Sequence, residues 1–213
     1  MMSTSDIASS RHRLSRVQRQ RKLVLLVLVL AVIVALPMVQ SLAEIDRFAH
    51  ETIEIAGLVM IGLAILGRAW CTLYIGGRKA QELTATGPYS ISRNPLYMFS
   101  FIGAAGVGAQ TGSLLMTGLF LAGAVAVFLP VILREERELE NIFGADFVTY
   151  KQQTPRLFPR FSAWRDMETI EVRPNLLWRT LRDGMVFFMV VPLFELIDWL
   201  QVNDIIHPLI YLP

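Results

Sequence analysis

One stretch decides the fold: "LLMTGLFLAGAVAVFLPVILREERELENIF", residues 114–143, which changes from apolar to charged without losing its helical pattern. Its first part, residues 114–133, carries no charged side chain. A bilayer core of about 30 Å needs roughly 20 apolar helical residues, so this part is long enough to cross it. No helix-breaking residue follows before Gly144. We therefore predict a transmembrane helix that continues into water over residues 134–142.

The composition of the chain also indicates a membrane protein. Of its 213 residues, 54% are hydrophobic and 18% are charged, whereas soluble domains carry about 25% charged residues. The mean hydropathy is +0.47. A net charge of +2 does not indicate a nucleic-acid partner, and a single cysteine, Cys71, excludes both an internal disulfide and a cysteine-based metal cluster. We expect a lipid bilayer around the chain, no nucleic-acid partner and no metal site.

Four further stretches are apolar, namely residues 23–42, 52–76, 96–110 and 184–200. The first two are long enough to span a bilayer. The third is short and rich in Gly and Ala, which let helices approach closely in lipid. Only "QTGS", residues 110–113, separates it from the helix over 114–133, so these two segments form a helical hairpin.

These stretches predict an all-α membrane protein with four transmembrane helices and a cytoplasmic cap over residues 145–175. The stretch 184–200 contains Pro192, Glu195 and Asp198, so it fits a fifth span, a re-entrant segment or an interfacial helix. By composition the chain divides into a basic N-terminus (1–22), two helices (23–76), a core (77–160) and a C-terminal extension (161–213).

Positive charge concentrates in three segments, residues 1–22, 77–95 and 134–160, with an even number of predicted spans between each pair. Cytoplasmic loops carry an excess of Lys and Arg, so we expect the N-terminus and these segments in the cytoplasm. The first apolar stretch has no evident cleavage site, which indicates a retained helix. This favours a bacterial inner membrane as the location.

The helical hairpin places two polar segments side by side, because one ends where the third helix begins and the other follows the fourth. The eight side chains concerned are Tyr89, Arg93, Asn94, Tyr97, Arg134, Glu135, Glu136 and Glu138. Within the second segment Glu136 and Glu140 are four residues apart, so like charges face each other on a helix. Two interpretations remain open: a solvated helix end with salt bridges, or a site in which a ligand ammonium relieves the repulsion.

The motifs of this region carry a family resemblance. They are Gly87-Pro88-Tyr89, Arg93-Asn94-Pro95 with Tyr97, the pair Glu135-Glu136, then Phe143, Gly144, Phe147 and Tyr150, and finally Pro155 and Pro159. Together they resemble the isoprenylcysteine carboxyl methyltransferase family, part of a wider group of integral-membrane methyltransferases that includes the phospholipid N-methyltransferases. The resemblance covers roughly residues 77–160. Asn94 stands where many members have histidine, and Phe147 replaces an expected tyrosine.

The resemblance implies that S-adenosylmethionine binds at the cytoplasmic side. Its α-ammonium would contact Glu135 or Glu136, and its carboxylate would contact Arg93. The cofactor-binding set that the resemblance implies is Tyr89, Arg93, Asn94, Tyr97, Glu135 and Glu136. Aromatic rings such as those of Tyr89 and Tyr97 suit a sulfonium cation.

Two residues are candidates for the chemistry itself. Arg134, or Arg68 if it reaches the interface, would hold a carboxylate acceptor through charge-assisted hydrogen bonds. Glu138 would act as a base for an amine acceptor, which must lose a proton before methylation.

We therefore expect methyl transfer to a lipophilic or lipid-modified acceptor, in particular carboxyl O-methylation of an isoprenylcysteine-like substrate. The alternatives are a phospholipid or other lipid N-methyltransferase, an NADPH-dependent membrane reductase and a non-catalytic membrane protein. The identity of the acceptor and the oligomeric state do not follow from the sequence.

Overall fold

The computed structural model describes residues 39–41, 47–76, 82–203, 205 and 210–212. In order, the elements are β1 (Val39–Ser41), α1 (Arg47–Ile75), α2 (Pro88–Ile91), α3 (Pro95–Ala109), α4 (Leu114–Phe143), α5 (Ala145–Gln153), a 3-10 turn (Phe161–Ala163), α6 (Pro174–Met185), a 3-10 turn (Val186–Met189), α7 (Val190–Val202) and β2 (Ile210–Leu212). This part of the chain is helical, as predicted, except for one parallel pair of three-residue strands. In that pair, Val39 lies opposite Ile210.

Two of the described helices are long and apolar enough to cross a membrane, Phe48–Ile75 and Leu114–Phe143. They correspond to the spans predicted over 52–76 and 114–133. Helix α3 is a shorter apolar helix of 15 residues, so its crossing stays a prediction, as does the cytoplasmic position of the cap.

The first predicted span, residues 23–42, lies outside the described residues except at its end. Residues 39–41 form β1 there, so the prediction of helix is wrong for these three residues. The physical reason is their hydrogen-bonded pairing with residues 210–212, a partner far away in the chain. The basic segment 1–22 also lies outside the described residues.

The predicted helical hairpin is confirmed, since α3 and α4 are joined by a tight turn and pack on each other. The Ser113 hydroxyl caps α4 by accepting a hydrogen bond from the Met116 N–H at 3.4 Å. Tyr97 and Phe101 of α3 are buried against Phe128 and Ile132 of α4. Helix α4 then runs on to Phe143, so its charged part is helical as predicted.

Helix α1 packs closely on α3 through small residues. A Cβ atom at Gly106 of α3 would lie 2.8 Å from the Gly57 carbonyl oxygen and 3.0 Å from the Ile61 nitrogen of α1. The Gln110 amide also donates to the Glu54 carbonyl at 2.8 Å. Close backbone approach of this kind gives contacts between helices in lipid, where the hydrophobic effect contributes little.

Helix α6 runs antiparallel to α1. The hydroxyls of Thr180 and Thr72 are 3.2 Å apart, and Gly184 contacts Ile65. Later residues of α6 therefore meet earlier residues of α1. The apolar stretch 184–200 therefore begins in α6, continues through the 3-10 turn 186–189 and ends in α7. Whether it spans the bilayer stays a prediction.

Candidate functional site

The polar turn before α3 is tightly built. Gly87 has a φ of 57°, a left-handed conformation that suits glycine, and a Cβ atom there would lie 2.2 Å from the Tyr74 ring. Its N–H donates to the Arg165 carbonyl at 2.7 Å. Pro88 and Pro95 begin α2 and α3, where a missing N–H has no intrahelical partner to lose. The turn therefore holds its side chains in fixed positions.

The turn and the charged part of α4 meet at Glu136. The Asn94 side-chain amide donates to Glu136 Oε1 at 2.8 Å, and Arg93 Nε donates to the same oxygen at 3.1 Å. Arg156 Nε donates to Glu136 Oε2 at 3.0 Å. Because the carboxylate is buried, two arginines and an amide replace its hydration, which such a charge requires.

On its other side, Arg93 binds the C-terminal end of α5. Its Nη1 donates to the carbonyl oxygens of Lys151 at 2.8 Å and Thr154 at 3.2 Å. A guanidinium group presents five donors in a fixed plane, so it suits this combination of one carboxylate and two carbonyls. The arrangement makes Arg93 and Glu136 the centre of a structural network.

The segment after α5, residues 154–160, crosses the turn as a strap. The Arg93 N–H donates to the Pro155 carbonyl at 2.8 Å. The Ser92 hydroxyl donates to the Leu157 carbonyl at 3.1 Å, and the Arg160 N–H donates to the Ile91 carbonyl at 3.0 Å. These bonds hold the strap and the turn as one unit.

Tyr89 and Glu135 form a second buried polar group beside this network. The Tyr150 hydroxyl donates to the Tyr89 carbonyl at 2.7 Å. Burial raises the pKa of the Tyr89 hydroxyl well above its ordinary value; Cys71, Tyr150 and Glu135 raise it further, while Arg68 lowers it. The Tyr89 hydroxyl thus lies within electrostatic reach of α1, α4 and α5. Among the described residues it has no hydrogen-bond partner.

Arg68 lies in the predicted second span, and its partner is on α3. Its guanidinium donates to the Ser100 hydroxyl, and Ser100 in turn donates to the Leu96 carbonyl at 2.8 Å. An arginine at this depth is costly without such partners. The structure therefore points Arg68 into the bundle, close enough to Tyr89 to influence its pKa.

The remaining candidates are placed differently. Tyr97 is buried in the core, with its ring centroid 5.5 Å from that of Phe128. Arg134 is exposed, on the surface of α4. Glu138 is half-buried, and its Oε2 atom is buried without a hydrogen-bond partner among the described residues. The structure thus brings together Tyr89, Arg93, Asn94, Glu135 and Glu136, with Tyr97 in the adjacent core and Arg134 at the surface.

The sequence interpretation missed two members of this region, Arg156 and the hydrogen-bonding role of Tyr150. Arg156 lies 20 residues beyond Glu136, a spacing that by itself does not predict contact. A general consideration would have pointed to it: two adjacent acidic residues at a helix end near the membrane need cations from elsewhere in the chain.

A groove of about 300 Å³ lies beside the turn. Its walls are formed by the loop before Gly87, the outer face of α5 and the segment after the strap; the lining residues are Leu83, Ala85, Thr86, Asp146, Thr149, Tyr150, Gln153 and Arg165. Tyr150 therefore contacts both this groove and the carbonyl of Tyr89.

Residues 54–146 match the family model of phospholipid methyltransferases. The resemblance to the integral-membrane methyltransferases is thereby confirmed. The match runs from α1 through the hairpin to the start of α5, and it includes all eight predicted site residues. Together with the two long apolar helices, it indicates an integral membrane protein with a methyltransferase-type core.

Two relatives are similar over a longer region. The chain is 38% identical to the nickel-cobalt-cadmium resistance protein NccN of Alcaligenes xylosoxydans xylosoxydans. The match covers 142 residues, or 67% of this chain. The chain is 40% identical over 144 residues to the cobalt-zinc-cadmium resistance protein CzcN of Cupriavidus metallidurans, 66% of this chain. The chain spans 66% of the length of each relative. No solved structure matches.

Proposed function

We propose that this protein is an S-adenosylmethionine-dependent methyltransferase of the membrane that acts on a lipophilic acceptor. One observation carries the proposal. The contact of Asn94 with Glu136, at 2.8 Å, joins the ends of α3 and α4 within the segment that matches the methyltransferase family. A buried polar junction at the end of apolar helices is a suitable place for a charged cofactor to meet an apolar substrate.

The donors and acceptors of this junction suit the cofactor. When bound, S-adenosylmethionine supplies an electrophilic methyl group on a sulfonium. Glu135 would accept from its α-ammonium, and the Tyr89 hydroxyl, buried without a hydrogen-bond partner among the described residues, would bind another of its polar groups. Glu136 already accepts from Arg93, Asn94 and Arg156, so we assign it and these partners to positioning rather than to cofactor contact.

The chemistry of the acceptor decides what the remaining residues do. A carboxylate acceptor, such as that of an isoprenylcysteine, is ionised at neutral pH and needs orientation rather than a base. Exposed Arg134 would bind it electrostatically from the helix surface. For an amine acceptor, as in phospholipid N-methylation, Glu138 would accept the proton. We favour the carboxylate acceptor and keep N-methylation as the alternative.

Cofactor binding by the purified protein tests the proposal directly. Isothermal titration with S-adenosylmethionine should give saturable binding, and titration with NADPH should not. E135Q removes the negative charge proposed for the ammonium, so it should weaken binding by at least about tenfold, since charge-assisted hydrogen bonds contribute roughly 1.5–3 kcal/mol. E140Q alters a partly exposed carboxylate paired with Lys151 and serves as the matched control. Unchanged affinity in E135Q, with normal folding, would contradict the assignment.

The type of methyl transfer is tested with a labelled cofactor and membrane extracts of the host. A methyl ester releases its label in mild base, whereas a methylamine retains it. Base-labile label supports carboxyl transfer, and base-stable label in a lipid fraction supports the N-methyltransferase. Saturable binding of NADPH in place of S-adenosylmethionine would support the reductase.

The relatives named for metal resistance suggest a physiological role for the same activity. We propose that methylation by this protein contributes to tolerance of cobalt, zinc, cadmium or nickel, because two relatives at 38% and 40% identity carry these names. A deletion strain should grow less well in these metals, and the wild-type gene should restore growth while E135Q should not. Equal growth of all strains in these metals would contradict a role in metal tolerance.

A further inference from the structure

A basic and aromatic loop follows Pro155, and apart from Arg156, which binds Glu136, it has no role in the proposed chemistry. We define it as residues 156–165, "RLFPRFSAWR", which contains three arginines and no acidic residue. Two of its rings are largely uncovered: Phe158 is 88% exposed and Phe161 is 74% exposed. Exposed phenylalanines beside arginines are unfavourable in water but typical of segments that lie at a membrane surface.

The position of this loop relative to the apolar helices fits the membrane surface. Trp164 stacks on Trp70 of α1, with ring centroids 5.6 Å apart and an angle of 22° between the planes. Trp70 lies five residues before the end of α1, which corresponds to about 7 Å along the helix axis. Tryptophan is enriched at the level of the headgroups, so this stack places the loop near the boundary of the bilayer.

The charges of the loop favour an anionic partner. Arg160 and Arg165 are exposed, and Arg156 is partly exposed while it binds Glu136. From Phe147 to Arg165 the chain carries Lys151 and three arginines without an acidic residue. Basic residues close to a membrane are attracted to anionic lipid headgroups, and the neighbouring rings insert their apolar edges below them.

We propose that residues 156–165 bind the anionic phospholipid leaflet at the end of the bundle where α1 and α3 meet the strap. Phe158 and Phe161 enter the headgroup region, and Arg160 and Arg165 contact lipid phosphates. The first part of the loop belongs to the strap, whose backbone bonds to Ile91, Ser92 and Arg93 hold the turn. Anionic lipid therefore stabilises the turn through the strap. This inference does not depend on the proposed reaction.

Hydrogen exchange of the full chain in lipid nanodiscs tests the proposal. Backbone amides of residues 154–165 are compared in nanodiscs of phosphatidylcholine alone and of phosphatidylcholine with phosphatidylglycerol. Each arginine near an anionic surface contributes roughly a fivefold effect, so we expect exchange at least about tenfold slower in the anionic nanodiscs. The difference should shrink at high salt, because the attraction is screened. Equal exchange in both lipids would overturn the proposal.

Matched variants separate the loop from general membrane contact. R160Q/R165Q should remove the response to phosphatidylglycerol, and F158S/F161S should speed exchange in both lipids. R179Q is the control for charge. Arg179 is an arginine with a 59% exposed side chain outside the loop, and its Nε lies 4.0 Å from Asp183 Oδ2. F48S is the control for exposed phenylalanine, because Phe48 is 80% exposed at the opposite end of α1. A response that persists in R160Q/R165Q, or that is lost in R179Q, would also overturn the proposal. The comparison of lipids on the unmodified protein holds even if a variant fails to fold.

Discussion

Glu136 shows how one side chain joins three parts of the chain. Its carboxylate binds Arg93 and Asn94 of the turn and Arg156 of the strap, while its own backbone belongs to α4. The sequence predicts that these ends meet, and the structure adds what each glutamate does. Adjacent Glu135 and Glu136 look equivalent in the sequence, but only the packing around them decides which one is enclosed by arginines. The separate roles of the pair could not be predicted for this reason.

The network predicts that E136Q destabilises the protein strongly. The substitution leaves two guanidinium groups facing a neutral amide, and the side chain of Arg93 is only 9% exposed. Breaking a buried ion pair by removing one partner costs about 3 kcal/mol or more. We expect a loss of about 3 kcal/mol in the free energy of unfolding, measured by denaturant titration in detergent micelles.

The matched control for this prediction is E140Q. Glu140 and Lys151 are 2.9 Å apart, yet their side chains are 39% and 33% exposed. A partly exposed pair contributes about 1 kcal/mol at most, so E140Q should change the free energy of unfolding little. Similar losses in the two variants would show that burial of the Glu136 network adds nothing.

At the scale of elements, the hairpin of α3 and α4 was predictable from the sequence. Helix α6, which comes from the C-terminal part of the chain and packs against α1, was not. Proline at position 95 and the short polar turn at 110–113 mark where α3 begins and where it gives way to α4, and the observed boundaries differ from the predicted ones by at most one residue. Helix α6 begins in a charged segment, so a hydropathy pattern alone does not reveal it. Its contact with α1 depends on Thr180 and Gly184, which face the same side of α6. The sequence does not show which helix that side packs against.

The close packing of α1 on α3 predicts that G106A destabilises the hairpin. The added methyl group would lie 2.8 Å from the Gly57 carbonyl oxygen, so the helices would have to separate. Overpacking of this kind costs about 1–3 kcal/mol. G118A is the control, because a Cβ atom at Gly118 meets no atom within 4 Å. Thermal unfolding in detergent should show a lower midpoint for G106A and an unchanged or higher one for G118A; equal midpoints would contradict the packing.

At the scale of the whole molecule, the sequence predicts the arrangement of the core but not the structure of the C-terminal extension. The motifs of residues 77–160 predict both the neighbouring helix ends and the methyltransferase resemblance, because the relevant contacts follow from one short hairpin. The pairing of residue 39 with residue 210 joins the two ends of the described chain. Contacts at such separation leave no periodic pattern in a single sequence, and for this reason the strands were missed.

The antiparallel position of α6 predicts a specific cross-link. The Thr72 and Thr180 hydroxyls are 3.2 Å apart, so cysteines at both positions should form a disulfide under mild oxidation, in a C71A background that removes the native thiol. T72C/W178C is the control, because Trp178 is 69% exposed. Cross-linking is read by a thiol-reactive mass tag. Equal cross-linking of the two pairs, or none in T72C/T180C, would show that α6 does not lie along α1 in this way.

The buried tyrosine that connects α5 to the turn predicts a loss of stability at alkaline pH. Burial raises the pKa of Tyr150 above its ordinary value; Glu136 raises it further, and Arg93 and Arg165 oppose the shift. Because the unfolded chain deprotonates near pH 10 and the folded chain later, this contribution is complete below about pH 10 and falls as pH rises towards the folded pKa. The thermal midpoint should therefore hold up to about pH 10 and drop as the pH rises above it. Y150F lacks the hydrogen bond to Tyr89, so it should be less stable at pH 8 and show a smaller drop. An equal drop in both proteins would place the alkaline transition at another group.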